Sequence, residues 1–135
     1  MIGLLDYRRL MADYATYHLT EGNQRTHTIG IPLIVFAIVK WTQIGSPVPL
    51  AILALPVYFM WNRRIGAIMS GFVVGCAALS LFLPGWTAWA AFIVGWAFQI
   101  YGHEVYEKNR PALLDNLSHS LIGPAFVIEK LAGKC

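Results

Sequence analysis

The feature that most constrains the fold is a long stretch with almost no charge, which runs from His27 to His103. The only ionised side chains within it are Lys40, Arg63 and Arg64, so it holds no aspartate or glutamate. Over the whole chain 57% of the residues are hydrophobic and 13% are charged, whereas a soluble domain has about 25% charged residues. A chain with so little polar surface is expected to lie in a membrane.

Glycine, proline and a pair of arginines divide this stretch into four apolar segments. The segments are Ile29–Ile44, Val48–Trp61, Ile65–Leu83 and Trp86–Tyr101. A simple transmembrane helix needs about 20 apolar residues, and only the third segment approaches that length. We predict an all-α fold, a small polytopic membrane bundle of about four apolar helices, in which the short second segment spans a thin bilayer or is partly interfacial. The length predicts a single domain, residues 1–135.

Shorter helices are predicted on both sides of the apolar segments. Residues 4–20 have the amphipathic pattern of a helix that lies in the membrane interface, and Glu21–Asn23 is predicted to end that helix. After the fourth segment, Gly102–Arg110 is predicted to be a polar turn. A short C-terminal helix, Ala112–Leu121, is then predicted to stop at Gly123-Pro124.

Four crossings would place both chain ends and the Arg63-Arg64 turn on one side of the membrane. Nine of the ten lysines and arginines fall on that side, and Lys40 is the exception. By the positive-inside rule that side is cytoplasmic, so we predict an integral multi-pass protein of the bacterial inner membrane or the endoplasmic reticulum. The net charge of +3 comes without a basic stripe with interleaved aromatics, which gives no indication of nucleic-acid binding.

All the histidines of the chain fall on the same predicted side as the chain ends. They are His18, His27, His103 and His119. Imidazole is the commonest metal-binding side chain and suits Zn, Cu, Fe and Ni. We predict that the four histidines share a transition-metal site at the membrane surface. Their spacing matches no compact ligand motif, so an interfacial or hydrogen-bonded histidine is the alternative at each position.

Five polar residues near the histidines are candidates for orienting them or for holding a substrate. Asn23, Glu107 and Asp115 each lie four residues from a histidine, which puts each pair on one helical face and suits an outer-shell partner. Glu107 is also a candidate ligand. Arg25 and Arg110 are candidates for binding a carboxylate, and simple positive-inside charge is the alternative for both.

Two runs of residues resemble the signatures of a known membrane family. The first is His18–Pro32 (HLTEGNQRTHTIGIP), and the second is Gln99–Leu117 (QIYGHEVYEKNRPALLDNL), which continues into Leu121–Pro124. In their order and spacing these runs are similar to the membrane 2-hydroxy fatty acid dioxygenases of phytosphingosine degradation, formerly a family of unknown function. The apolar segments between the runs match only in character.

The resemblance implies an Fe(II)-dependent dioxygenase that uses O2 to shorten a 2-hydroxy long-chain fatty acid by one carbon, an α-oxidation. It implies that His18, His27 and His103 are essential, while His119 is a candidate ligand from the residues alone. A 2-hydroxy acid can bind iron through its hydroxyl group and one carboxylate oxygen. Its tail would stay among the membrane lipids, which agrees with a site at the membrane surface.

Two other functions stay open at this stage. One is a b-type haem electron carrier that uses two of the histidines as axial ligands. The other is a non-enzymatic membrane scaffold or transport protein, although the lack of any acidic residue in 29–101 argues against proton-coupled export. The sequence indicates no particular oligomeric state.

Overall fold

The computed structural model describes residues 6–108 and 119–132, and these residues contain helices and turns without any strand. The predicted all-α class is therefore confirmed for this part of the chain. In chain order the elements are α1 (Tyr7–Thr16), α2 (Glu21–Trp41), a 3₁₀ helix (Leu50–Ala54), α3 (Leu55–Trp61), α4 (Arg63–Ser80), α5 (Trp86–Tyr101), a π-helix (Gly102–Glu107) and α6 (His119–Leu131).

Helices α2 and α5 form the central antiparallel pair, and they cross at two glycines. A Cβ atom on Gly30 would lie 2.7 Å from the carbonyl oxygen of Gly95, and one on Gly95 would lie 2.8 Å from the carbonyl oxygen of Gly30. Both distances are shorter than van der Waals contact, so the backbones approach this closely only because neither residue has a side chain. The crossing lies one helical turn from His27 and sets the helix spacing there.

The remaining helices pack around this pair. Helices α3 and α4 form a hairpin beside α2, and α6 lies against α1, α2 and α4. Leu10 of α1 and Ile122 of α6 are fully buried in the shared core. Asn62 separates α3 from α4 and caps α4, because its Oδ1 accepts hydrogen bonds from the backbone N–H groups of Arg64 (2.8 Å) and Ile65 (3.3 Å).

The four predicted apolar segments are largely helical, but their number of membrane crossings stays a prediction. Among residues 6–108 and 119–132, one helix, α4, is long and apolar enough to cross a membrane. The 3₁₀ helix and α3 together form a shorter apolar stretch, Leu50–Trp61.

The beginning of α2 differs from the prediction. Glu21–Asn23 does not end a helix but forms the first turn of α2, and the chain turns just before it. The physical reason is an N-cap: the Thr20 side chain accepts a hydrogen bond from the backbone N–H of Asn23 (3.3 Å), and Glu21 places an acid in the first turn. As a result His27 lies inside a helix that begins six residues before it.

The predicted stop at Gly123-Pro124 is also wrong, because α6 continues through both residues to Leu131. Both are buried, and a Cβ atom on Gly123 would lie 3.2 Å from Ile31 Cδ1 and 3.2 Å from the Tyr14 hydroxyl. Packing against α1 and α2 thus overrides the local tendency of Gly-Pro to end a helix. Most of the short helix predicted at 112–121 lies outside the described residues.

Candidate metal centre

Three of the four predicted histidines meet in one place. His18 lies in the turn after α1, His27 in α2, and His103 in the π-helix after α5. One ring nitrogen from each lies within 4.8 Å of the other two. The three residues are only 2%, 2% and 1% exposed. Buried imidazoles this close together are a donor set that can hold a transition-metal ion.

Backbone hydrogen bonds decide which nitrogen of His18 and His27 faces the cluster. His18 Nδ1 lies 2.7 Å from the carbonyl oxygen of Tyr14, and His27 Nδ1 lies 2.9 Å from that of Asn23. A carbonyl oxygen can only accept, so each Nδ1 carries a proton and donates it. The Nε2 of each neutral ring is then a bare lone pair, which is the form that binds a metal.

The Nε2 atoms of His18 and His27 lie 3.0 Å apart. Two lone pairs at this distance repel each other unless a cation binds them. A proton is disfavoured as that cation, because burial lowers the pKa of His18 to about 4 and keeps this ring neutral at pH 7. The arrangement therefore fits a metal ion better than it fits an empty hydrogen-bonded pair.

His103 reaches the cluster because the chain after α5 is not the predicted polar turn. Gly102–Glu107 continues α5 as a π-helix, a rare form that occurs frequently at functional sites. A Cβ atom on Gly102 would collide with Thr26 Oγ1 and Asn23 Oδ1. Glycine at this position thus allows the π-helix to lie directly against α2 and brings His103 beside His27.

A cavity of about 260 Å³ opens beside the three histidines. Its walls include Ile31, Ile34 and Ile38 of α2, and Phe92, Trp96 and Gln99 of α5. The spacings of three and four residues put each set on one face of its helix. The cavity is therefore apolar along the helices and carries imidazoles at one end.

His119 lines the same cavity but is not part of the three-histidine cluster. Its Nε2 donates a hydrogen bond to Asp13 Oδ2 at 2.7 Å. Its Nδ1 is buried and has no hydrogen-bond partner among the described residues. The structure thus brings three of the four predicted ligands together, and metal binding by His119 stays a prediction.

The sequence matches the family described as 2-hydroxy-palmitic acid dioxygenase Mpo1-like over residues 4–135. This chain belongs to the Mpo1-like family. The 2-hydroxy-palmitic acid dioxygenase MPO1 of Saccharomyces cerevisiae is 32% identical over 139 residues, which cover 93% of this chain and 79% of the yeast protein. No solved structure matches the chain. The family resemblance expected from the two motifs is confirmed.

In this Mpo1-like chain, Asn23 and Glu107 lie close to the histidines, but neither side chain forms a hydrogen bond to an imidazole that the structure records among the described residues. The backbone carbonyl of Asn23, not its side chain, accepts from His27. Glu107 Oε1 accepts a hydrogen bond from the backbone N–H of Thr20 at 2.5 Å. That bond ties the end of the π-helix to the N terminus of α2. Glu107 thereby stabilises the relative position of the two elements that carry His27 and His103.

The other predicted partner residues lie farther from the site or outside the described chain. Arg25 is exposed and forms an ion pair with Glu21 on the first turns of α2. Substrate binding by Arg25 stays a prediction. Arg110 and Asp115 lie outside the described residues.

Sequence reasoning missed three residues of this Mpo1-like site. Tyr14 stacks on the His18 ring, with centroids 4.0 Å apart and planes 9° from parallel. Gln99 is 8% exposed in the cavity wall, and Asp13 holds His119. Gln99 carried a usable signal, since it is a polar residue in an apolar segment four positions before His103. Asp13 carried none, because 106 positions separate it from His119.

Proposed function

We propose that this Mpo1-like protein is an Fe(II)-dependent dioxygenase that converts a 2-hydroxy long-chain fatty acid and O2 into the acid one carbon shorter. The observation that carries the proposal is the cluster of three buried histidines at one end of an apolar cavity. The name of the yeast relative, a 2-hydroxy-palmitic acid dioxygenase, supports the substrate class.

His18, His27 and His103 would hold the iron. A set of neutral imidazoles leaves the charge of Fe(II) uncompensated, unlike the common set of two histidines and one carboxylate, and so favours an anionic substrate. Bound iron would supply O2 activation, with the electrons taken from the hydroxy acid. The protein itself keeps the rings neutral and oriented, through the carbonyl groups of Tyr14 and Asn23, and shields them from water.

The apolar part of the cavity suits a long acyl tail. From His27 to Ile38, helix α2 advances about 16 Å at about 1.5 Å per residue. This is roughly half of the ~30 Å hydrocarbon core of a bilayer, which is the depth of one leaflet. The proposed substrate therefore places its carboxylate and 2-hydroxyl at the histidines and its tail between α2 and α5.

The protein in this proposal is embedded in the bacterial inner membrane or the endoplasmic reticulum as a multi-pass protein, with its histidines at the cytoplasmic face. The length of α4 supports this placement, as does the distribution of basic residues. Several large apolar side chains on α4 and α5 are also exposed, and in a bilayer they would contact lipid instead of water. They are Val74, Leu79, Trp89, Ile93 and Val94.

The direct test is to purify the protein anaerobically in detergent, measure bound metal, and follow O2 uptake with 2-hydroxypalmitate and with palmitate. We expect bound iron, uptake with the hydroxy acid alone, and a C15 acid as the product by mass spectrometry. No metal and no uptake after addition of Fe(II) would overturn the proposal and favour a scaffold protein. A Soret band would favour a haem carrier.

A further inference from the structure

His119, a residue of the cavity wall, carries a buried ring nitrogen, Nδ1, that has no hydrogen-bond partner among residues 6–108 and 119–132. Buried polar atoms in native proteins are nearly always paired. Because His119 lines the cavity, an occupant of the cavity is the candidate for supplying the missing partner.

The hydrogen bond between Asp13 and His119 determines whether His119 Nδ1 needs a donor or an acceptor as its partner. The His119 Nε2–H donates to Asp13 Oδ2 at 2.7 Å, so in the neutral ring the proton sits on Nε2 and Nδ1 is an acceptor. The rings of Tyr14 and Tyr17 meet His119 edge-on, with centroids 5.2 and 6.0 Å away. The aspartate and the two tyrosines thus fix both the tautomer and the orientation of the imidazole.

Gln99 in the same wall also has an unpaired buried atom, its Oε1. A side-chain amide carries an acceptor and two donors and can exchange them by a half-turn, so Gln99 adapts to either kind of ligand group. His119 cannot adapt in this way while Asp13 holds its Nε2. The imidazole is therefore the group that can distinguish a ligand with a hydroxyl donor from one without it.

We propose that His119 Nδ1 accepts the hydrogen bond of the substrate's 2-hydroxyl group, and that Asp13 is the positioning residue that keeps His119 in the accepting tautomer. The inference rests on the proposed function for its ligand, a 2-hydroxy fatty acid. An ordinary fatty acid differs from this ligand by one hydroxyl donor next to the carboxylate. Bound in the same place, it would leave Nδ1 unpaired, and one lost buried hydrogen bond lowers affinity by about tenfold.

The test is a binding comparison on the metal-free protein in detergent, with 2-hydroxypalmitate and palmitate as ligands. Removing the metal with a chelator removes the preference that the metal itself has for a hydroxy acid. Trp96 lines the cavity, so quenching of tryptophan fluorescence can report occupancy, and calorimetry can check it. We expect the wild-type protein to prefer 2-hydroxypalmitate by about tenfold.

Two variants at this site separate the proposed role from a structural one. His119→Phe keeps a ring but removes the acceptor, and it should weaken binding of 2-hydroxypalmitate about tenfold while leaving palmitate unchanged. Asp13→Asn keeps the shape but can donate to Nε2 and reverse the tautomer, and it should lower the preference in the same direction. Glu104→Gln changes an exposed carboxylate and should leave the preference as it is. Circular dichroism and thermal unfolding verify that each variant is folded.

Three results would overturn the assignment. They are equal weakening of both acids in His119→Phe, an unchanged preference in that variant, and loss of bound iron from it, which would make His119 a fourth ligand instead. The proposed function fails separately, when the iron-loaded wild-type protein takes up no O2 with 2-hydroxypalmitate. If the wild-type protein turns over the hydroxy acid, but His119→Phe still prefers 2-hydroxypalmitate over palmitate as the wild-type protein does, only the proposed role of His119 is contradicted.

Discussion

The two ends of helix α2 both carry buried or half-buried polar side chains. They differ in whether those side chains have hydrogen-bond partners. At the C-terminal end, Lys40 Nζ donates to the carbonyl oxygens of Ser80 (2.7 Å) and Leu83 (2.8 Å). Nearby, Gln43 Nε2 donates to the carbonyl oxygen of Ala77 at 3.1 Å. These bonds add side-chain donors to carbonyl groups at and just after the end of α4, where backbone donors become scarce. This end of α2 therefore acts as a helix cap.

At the N-terminal end, histidine side chains are held in position, but some of their ring nitrogens have no hydrogen-bond donor among the described residues. The Nε2 atoms of His18 and His27 face each other at 3.0 Å, and His119 Nδ1 has no partner among the described residues. In apolar surroundings such as the cavity beside the histidines, an unpaired polar group is costly. The difference indicates that the Lys40 end contributes stability, whereas the histidine end has the donor set of a metal site. Substitutions at the two ends should therefore separate stability from metal binding.

The largest effect is expected from His27→Ala. Loss of a residue that merely orients a metal ligand lowers affinity about 10–100-fold, so loss of a ligand should lower it by more than about 100-fold and abolish O2 uptake. Metal analysis after dialysis and calorimetric titration with Fe(II) measure this effect. Thr28→Ala, on the next residue of the same helix, is the control and should keep its iron. Full iron content and activity in His27→Ala would contradict the conclusion that the histidine end of α2 binds the metal.

The next effect is a pH dependence of stability in the metal-free protein. Burial lowers the pKa of His18 from 6.5 to about 4, so between these pH values the folded protein binds fewer protons than the unfolded chain. The free energy of unfolding should therefore fall as the pH drops through this window, and this group contributes a loss of about 3 kcal/mol at most.

Denaturant unfolding at pH 6.5 and at pH 4 measures that loss. The variant His18→Gln lacks the titrating group and should show a smaller difference between the two pH values. An equal difference in the variant would mean that other groups cause the whole effect, and that burial does not hold His18 neutral.

The sequence was sufficient to predict much of this arrangement. The apolar segments are helical because their composition leaves few alternatives, and the structure brings together His18, His27 and His103, which the two motifs single out. The start of α2 was also readable, since Thr20 followed by Glu21 is an N-cap signal. The prediction gave more weight to Gly22 and Asn23 as helix breakers than to that cap.

Other parts of the site could not be predicted, because their causes lie far away in the chain. Gly102 looks like a turn signal in sequence, yet it is needed where the π-helix touches Thr26 and Asn23 of α2. The pairing of His119 with Asp13 joins residues 106 positions apart, with no local pattern to indicate it. Contacts of this kind follow from the packing of helices and not from the periodicity of any one helix.

A smaller effect is expected from Gly102→Ala, which tests whether close packing places His103. The added Cβ would collide with Thr26 Oγ1 and Asn23 Oδ1, and overpacking of this kind costs about 1–3 kcal/mol. The shift should move His103 away from the cluster and lower iron affinity by about tenfold or more. Gly71→Ala and Gly75→Ala are matched controls, because a Cβ at either position meets nothing within 4 Å.

Those controls lie inside α4, where alanine favours the helix more than glycine does, so they should raise stability by about 0.5–1 kcal/mol. Iron titration and thermal unfolding of the three variants give the result. If Gly102→Ala bound iron as tightly as the two controls do, the absence of a side chain at Gly102 would not be what positions the π-helix.

The smallest effect on function is expected at the paired end, from Lys40→Met. The substitution keeps an unbranched apolar stem and removes the ammonium group, so the carbonyl groups of Ser80 and Leu83 lose the hydrogen bonds from Lys40, and the Ser80 carbonyl keeps the backbone N–H of Leu83 as a donor. Stability should fall by about 2 kcal/mol, while iron content, substrate preference and turnover per folded molecule stay at the wild-type level. The exposed cation Arg63 provides the control, and Arg63→Met should change neither stability nor iron binding. Weaker iron binding in Lys40→Met would mean that α2 transmits changes along its length, and the two ends could then no longer be treated as separate.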